Sequence, residues 1–162
     1  MKEKLVRVRP YQLVDKQLFC SYHLGKGQDA FTLHPLEAIK LCEEEPERHP
    51  FIIERERKIV GFFVLHIGNG TEVFSKNVRA AILRAFSIDV NEQGQGVAKQ
   101  VMNQLPLLVH QRFPEIDEIV LAVNKKNVPA RKLYESVGFV WHGKTLDGRS
   151  GLQDVLHLRL SL

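Results

Sequence analysis

Apolar and charged positions alternate with period two in several short stretches of the chain, and stretches of helical period separate them. Residues 4–9 set Leu5, Val6 and Val8 among charges and predict a first strand, stopped by Pro10. Residues 15–24 carry apolar side chains at helical spacing and end near Gly25 and Gly27. Residues 35–45 open on a proline in a permitted first-turn position and offer Leu36, Ile39 and Leu41 for packing, so two short helices are expected. Residues 51–54 and 58–66 read as strands around a charged turn, and residues 82–90 as the next strand, giving a meander. Between them, residues 68–79 open on Gly68-Asn69-Gly70 and read as a mobile loop or a short added hairpin.

From Gly96 onward, Val97, Val101, Met102, Leu105, Leu108 and Val109 describe one apolar helical face. Pro106 cannot donate to the carbonyl of Met102, so it either kinks this helix or ends it. Residues 116–123 form a further strand, Pro129 sits in the first turn of a helix ending near Val137, and Gly138 terminates that helix. Residues 139–144 and 155–160 fit a closing hairpin. Strands and helices alternate as in an α/β or α+β protein, and no linker, repeat or low-complexity segment divides residues 1–162, so one domain is expected.

Composition narrows the function classes. A chain of 162 residues, 44% hydrophobic and 26% charged, can bury a real core without staples. Its start lacks an apolar signal region and no hydrophobic run approaches membrane-spanning length, so a soluble cytoplasmic protein with no membrane partner is expected. Cys20 and Cys42 lack C-x-x-C spacing, fall in predicted helices and read as reduced, packed thiols. The seven histidines are scattered without metal-ligand spacing, and no metal is expected. The net charge of +4 and pI near 9.1 come from basic residues interleaved with acids. Arg55-Glu56-Arg57-Lys58 looks like a solvated hairpin tip, not a stripe that tracks nucleic-acid phosphates. Glu43-Glu44-Glu45 is expected to face solvent near a helix end.

The chemistry is concentrated where the strand of residues 81–90 runs into the helix, through Gln93-Gly94-Gln95-Gly96-Val97-Ala98. The first amides of a helix have no intrahelical acceptors and its dipole adds partial positive charge, so backbone alone can hold a phosphate or pyrophosphate there. Glycine is needed where the chain comes closest, because a Cβ would block the approach. A P-loop would need a lysine and a hydroxyl residue after Gly96, and Val97, Ala98, Lys99 and Gln100 follow instead. A dinucleotide fingerprint starting at Gly94 would want a small residue where Lys99 stands. The pattern that does fit, Q/R-x-x-G-x-G/A, resembles the acetyl-CoA-binding loop of GNAT-type N-acetyltransferases. Downstream, after Asn124, the order Asn127, Ala130, Leu133, Tyr134, Glu135, Gly138, Phe139 resembles the second block of that family, N-x-x-A-x-x-L-Y-E-x-x-G-F, at the family's distance.

This resemblance implies a mixed, twisted sheet of six or seven strands with about four helices, whose fourth and fifth strands splay apart around a bulge. Separated strands expose unpaired backbone groups that a pantetheine arm can satisfy as an added strand would. By that likeness the backbone of Phe86, Ser87 and Ile88 pairs with pantetheine, and Gln93, Gly94, Gln95, Gly96, Val97, Ala98 and Lys99 surround the pyrophosphate. Asn127 caps the following helix or contacts the cofactor, and Ala130 matters by being small.

The implied reaction moves an acetyl group from acetyl-CoA to a primary amine, with Tyr134 at the family position of the general acid. A phenol with an ordinary pKa near 10 suits protonation of a departing sulfur. No base is evident, since Leu83-Arg84-Ala85-Phe86-Ser87 holds no carboxylate. Asp89 reads as a turn cap, Glu72 and His66 are weaker candidates, and a water chain could substitute. Arg84 points toward the acceptor and favours an acidic substrate, or else joins a salt bridge. The acceptor is a small-molecule or peptide amine, with its pocket expected among the first two helices, residues 68–79 and the closing hairpin. That hairpin, with Trp141 and His142 before Asp147-Gly148-Arg149-Ser150-Gly151, is expected to line the pocket or to form a homodimer contact. A non-catalytic acyl-CoA sensor or partner-binding module of the same fold is the alternative.

Overall fold

Alternation within the strands divides the core between the two faces of one sheet. In the computed structural model, which describes residues 4–161, the strands are β1 (Val6–Pro10), β2 (Arg48–Arg55), β3 (Lys58–His66), β4 (Ala80–Ile88), β5 (Glu118–Asn124), β6 (Val140–Gly148) and β7 (Gly151–Arg159). They form a mixed seven-stranded sheet in the order β1-β2-β3-β4-β5-β7-β6. Phe51, Ile53, Phe63 and Leu65 pack with Val101, Met102, Leu105 and Val109 of helix α2 (Val97–Arg112). Their neighbours Ile52, Phe62 and Val64 pack instead with Phe19, Tyr22, Ala38 and Ile39, the last two from α1 (Pro35–Glu44). A one-residue slip in either strand would exchange the two faces, so burial fixes the register.

β4 and β5 are the parallel pair, joined only at Ala80↔Glu118, Ala81↔Ile119 and Ile82↔Val120. Beyond Ile82, β4 continues against β3 alone and β5 continues against β7 as far as Asn124. The separation begins beside a bulge: Val64 pairs with Arg84 and Phe62 with Ser87, so Ala85 and Phe86 stand opposite Phe63. Ala85 takes φ of 52°, a left-handed conformation that costs a non-glycine residue about 1–2 kcal/mol. The expected splay of the fourth and fifth strands is therefore present, and helix α3 (Val128–Ser136) follows β5 beside it.

Several elements differ from the sequence expectation. The first helix is a 3-10 helix, Leu13–Ser21, which stops short of Gly25. Its apolar Leu13, Val14 and Leu18 are exposed, while Asp15 is buried because the Arg9 fork and the Gln12 backbone amide hold its carboxylate. Cys20, expected to be packed, is exposed on this element, and both thiols are free. α2 runs through Pro106 without ending, since buried Leu105 and Val109 on either side keep its apolar face on the sheet. Residues 68–79 form consecutive turns, Thr71 N to Gly68 O and Phe74 N to Thr71 O, with Asn77 donating to Asp117 at 2.9 Å. The closing strands β6 and β7 extend to a tight turn at Arg149-Ser150. Among the described residues no helix is long and apolar enough to cross a membrane.

Candidate active site

The glycine-rich turn is built by its neighbours on both sides. Asp89 caps a short 3-10 turn, Val90–Glu92, by accepting from the Asn91 amide at 2.9 Å. Glu92 is buried and binds Arg55 and, at 3.0 Å, Lys58, which ties the turn to the β2–β3 hairpin. Hydrogen bonding from Lys58 leads the effects that hold its carboxyl below the usual range, against the opposing effect of burial. Arg55 is thus a buried structural partner rather than part of a solvated tip. Gly94 and Gly96 have φ of 75° and 78°, and Gly96 is the N-cap of α2 with no side chain capping the helix. The amides of Val97, Ala98 and Lys99 donate to no acceptor among the described residues. Free amides at a left-handed turn fit a phosphate or pyrophosphate. The Gln93 side-chain amide bridges Gln28 Oε1 at 2.7 Å and Ile88 O at 3.1 Å, while Gln95 reaches only Asn91 O.

The turn opens into a cavity of about 1020 Å³ that runs between the splayed strands and is lined by Phe86, Ser87 and Ile88 on β4 and by Asn127, Ala130 and Tyr134 around α3. Asn127 caps α3 by accepting from Ala130 N at 3.4 Å. Tyr134 is 8% exposed, stacks edge-on against Phe139 and offers a hydroxyl with no hydrogen bond among the described residues. Burial pushes its phenol above the ordinary value, so it is protonated at neutral pH. The Ser87 hydroxyl is held by Tyr22 at 2.8 Å.

On the far side of β4 the same cavity is lined by Ala38 and Leu41 of α1, by Phe74, Ile82 and Arg84, and by the β6–β7 tip from Leu146 to Arg149. Asn124, at the end of β5, donates to Ser150 O at 3.0 Å, and the Ser150 hydroxyl donates to Ala30 O, so the tip is fastened over residues 25–33. His66 Nε2 donates to Asn69 O at 2.6 Å, which leaves Nδ1 to accept from Arg84 at 3.2 Å. Burial leads the effects that lower the His66 pKa, so the ring is neutral. Glu72 is exposed and accepts from Gly70 N, and Asp89 is used as a cap. Trp141 and His142 lie away from the cavity: Trp141 faces Lys125 and Arg131, and His142 packs on His157.

Residues 13–139 match the acetyltransferase (GNAT) family. The chain belongs to this family. It is 36% identical over 138 residues to the uncharacterized N-acetyltransferase YbbJ of Bacillus subtilis (strain 168), covering 85% of this chain and 86% of that protein. Its fold matches that of the spermidine N-acetyltransferase of Vibrio cholerae, solved with coenzyme A and spermine, at a TM-score of 0.72, 18% identity and 96% coverage of both chains. It likewise matches an aminoglycoside acetyltransferase solved with coenzyme A, at a TM-score of 0.77 and 15% identity over 96% of this chain and 95% of that one.

As a GNAT enzyme the protein is an acetyl-CoA-dependent acyltransferase that acts on amines, with acetyl-CoA as its cosubstrate. The structure brings Tyr134 and all the residues expected to contact the cofactor except Gln95 to the wall of one cavity, while Glu135, Gly138 and Phe139 of the second block are not part of that wall. It adds Gln28, Asn124 and the pair His66–Arg84, which the motifs do not mark. Gln28 directly follows Gly25-Lys26-Gly27, and those two glycines are its one signal in the sequence, whereas His66 and Arg84 were already candidates there.

Proposed function

We propose that the protein acetylates a primary amine by direct attack, with Tyr134 as the general acid and the backbone from Phe86 to Ile88, together with Gln93 to Lys99, holding the cosubstrate. Acetyl-CoA supplies an activated acyl carbon bound to a good leaving group. In the transfer a carbon–nitrogen bond forms, the carbon–sulfur bond breaks, the amine loses one proton and the departing thiolate gains one. Tyr134 provides that proton from a hydroxyl that nothing else uses. The free amides of Val97, Ala98 and Lys99 receive the pyrophosphate, and the β4 backbone beyond Ile82 pairs with the pantetheine amides. Asn127 and Ala130 shape the wall beside them, one as a cap and the other by its size. The side-chain carboxylates considered for the base are engaged elsewhere, so the proton from the amine leaves through water.

The observation that carries this reading is the unbonded, protonated Tyr134 hydroxyl on the wall of the cavity that also contains the uncapped start of α2. Calorimetry with acetyl-CoA and thiol release against amines test it on the Tyr134→Phe variant. We expect unchanged acetyl-CoA affinity and a kcat lower by roughly 100-fold or more. Equal turnover would remove Tyr134 from the chemistry.

A further inference from the structure

Acetyl transfer by itself leaves Arg84 unexplained. Its guanidinium lies 5.1 Å above the Phe74 ring and donates to Nδ1 of His66, whose other nitrogen is committed to Asn69 O. Both supports are uncharged. Among the described residues Arg84 has no ion pair with a carboxylate, although every other well-buried arginine in the protein has one: Arg9 with Asp15, Arg48 with Glu45, Arg55 with Glu92. The fork is thus fixed in direction while its charge and its remaining donors stay available. Gly70 lets the 68–79 turns close over this arrangement, since a Cβ there would come within 2.9 Å of His66 Cε1. Burial is the main effect lowering the Arg84 pKa to about 10, which leaves it charged at neutral pH.

The rest of the cavity wall has the same sign. Six cationic side chains line it, of which Arg48 is paired with Glu45 beside the lining, against two carboxylates. One of these, Glu92, is consumed by Arg55 and Lys58, and the other, Asp147, sits on the exposed hairpin tip. A polycationic acceptor would meet repulsion at Arg84 and little to bind it. A carboxylate would meet a bidentate partner in a partly desolvated site, where such a pair is strongest.

We propose that the acceptor is an amino-carboxylate, a small amine that bears a carboxylate, and that Arg84 receives this group and so sets specificity. The inference rests on the acetyltransferase reading of the same cavity. It separates this chain from structural neighbours solved with spermine or with kanamycin, both of which are cationic amines.

The test uses matched pairs. Thiol release is measured with a panel of free amino acids, their carboxamides, spermidine and kanamycin. In parallel, N-acetyl amino acids and N-acetyl amino acid amides are titrated calorimetrically into enzyme saturated with coenzyme A. We expect acids to exceed their amides by at least about tenfold in kcat/KM and in affinity. Arg84→Met should erase that ratio through KM while acetyl-CoA affinity is retained. Should Arg84→Met fail to fold, Arg84→Lys keeps the charge without the fork and is expected to reduce the ratio. Amides equal to acids, preference for spermidine or kanamycin, or an unchanged ratio in the variant would overturn the proposal. Acetyl-CoA binding without thiol release from any amine would count against the acetyltransferase reading alone, because the N-acetyl titrations still decide whether Arg84 reads a carboxylate.

Discussion

At Gly96 a single missing side chain serves two purposes. Its φ of 78° turns the chain into α2, and its lack of a Cβ leaves the helix start open to an anion. Valine there would pay for a left-handed, β-branched backbone and would fill the approach to the amides of Val97 and Ala98. We expect Gly96→Val to weaken acetyl-CoA binding by roughly 100-fold or more in a calorimetric titration, corresponding to the loss of one or two charge-assisted hydrogen bonds. An affinity within a few-fold of wild type would place the pyrophosphate elsewhere. The end of the cavity proposed for the cofactor is marked in the sequence because backbone would carry that role, and a backbone requirement shows up as glycine at fixed spacing. At the acceptor end the sequence left Arg84 between two roles, facing an acidic acceptor or joining a salt bridge. Arg84 gains its meaning from His66, 18 residues earlier on a neighbouring strand, and from Phe74 in the intervening turns. Nothing in the linear order marks those three as one arrangement.

Elements held by alternation or by a motif were read correctly, and those held by a particular tertiary contact were not. β3, β5 and α3 follow their hydrophobic pattern, whereas the 3-10 helix Leu13–Ser21 buries Phe19 together with Asp15, which Arg9 holds, and leaves Leu13, Val14 and Leu18 exposed. Pro106 was expected either to kink the helix or to end it, and α2 runs on past it with Leu105 and Val109 packed on either side. The β2–β3 hairpin shows a local cost of the same kind. Its two turn residues, Glu56 and Arg57, have φ of 53° and 64°, the conformation of a two-residue turn that favours Asn-Gly. The turn tolerates them because Arg55, just before it, is anchored to buried Glu92. We expect the double change Glu56→Asn, Arg57→Gly to raise stability by about 1 kcal/mol in urea unfolding. The exposed pair of Glu56 with Lys4 that it removes contributes little. A loss of stability would mean that the side chains of Glu56 and Arg57 matter beyond their backbone conformation.

For the whole molecule, the buried ionisable groups divide by sign into two pH ranges. His49, His66 and His157 all have depressed pKa values, and in each case burial is the leading cause. Asp15, Glu92 and Asp154 also lie below their ordinary values. Hydrogen bonding leads for Asp15 and Glu92, whereas at Asp154 burial pushes upward and is outweighed by Lys125, Thr145 and Arg131. The carboxylates therefore stabilise the fold above their unfolded values and lose that contribution only as pH falls through their lower folded values. The histidines act earlier: below about pH 6.5 the unfolded chain takes up protons that the folded chain resists, so stability falls as pH falls. Each histidine so affected costs up to about 1.4 kcal/mol per pH unit within its window. His66 is the sharpest case, because a proton on Nδ1 would remove the acceptor of Arg84 and set two positive charges together. We expect wild-type unfolding free energy in urea to decline between pH 7.5 and 5.5, and His66→Gln, which cannot take up that proton, to decline less by up to about 1 kcal/mol. An identical decline in both proteins would assign the acid sensitivity to His49 and His157, and would show that the His66–Arg84 contact yields to protonation at no cost to the fold.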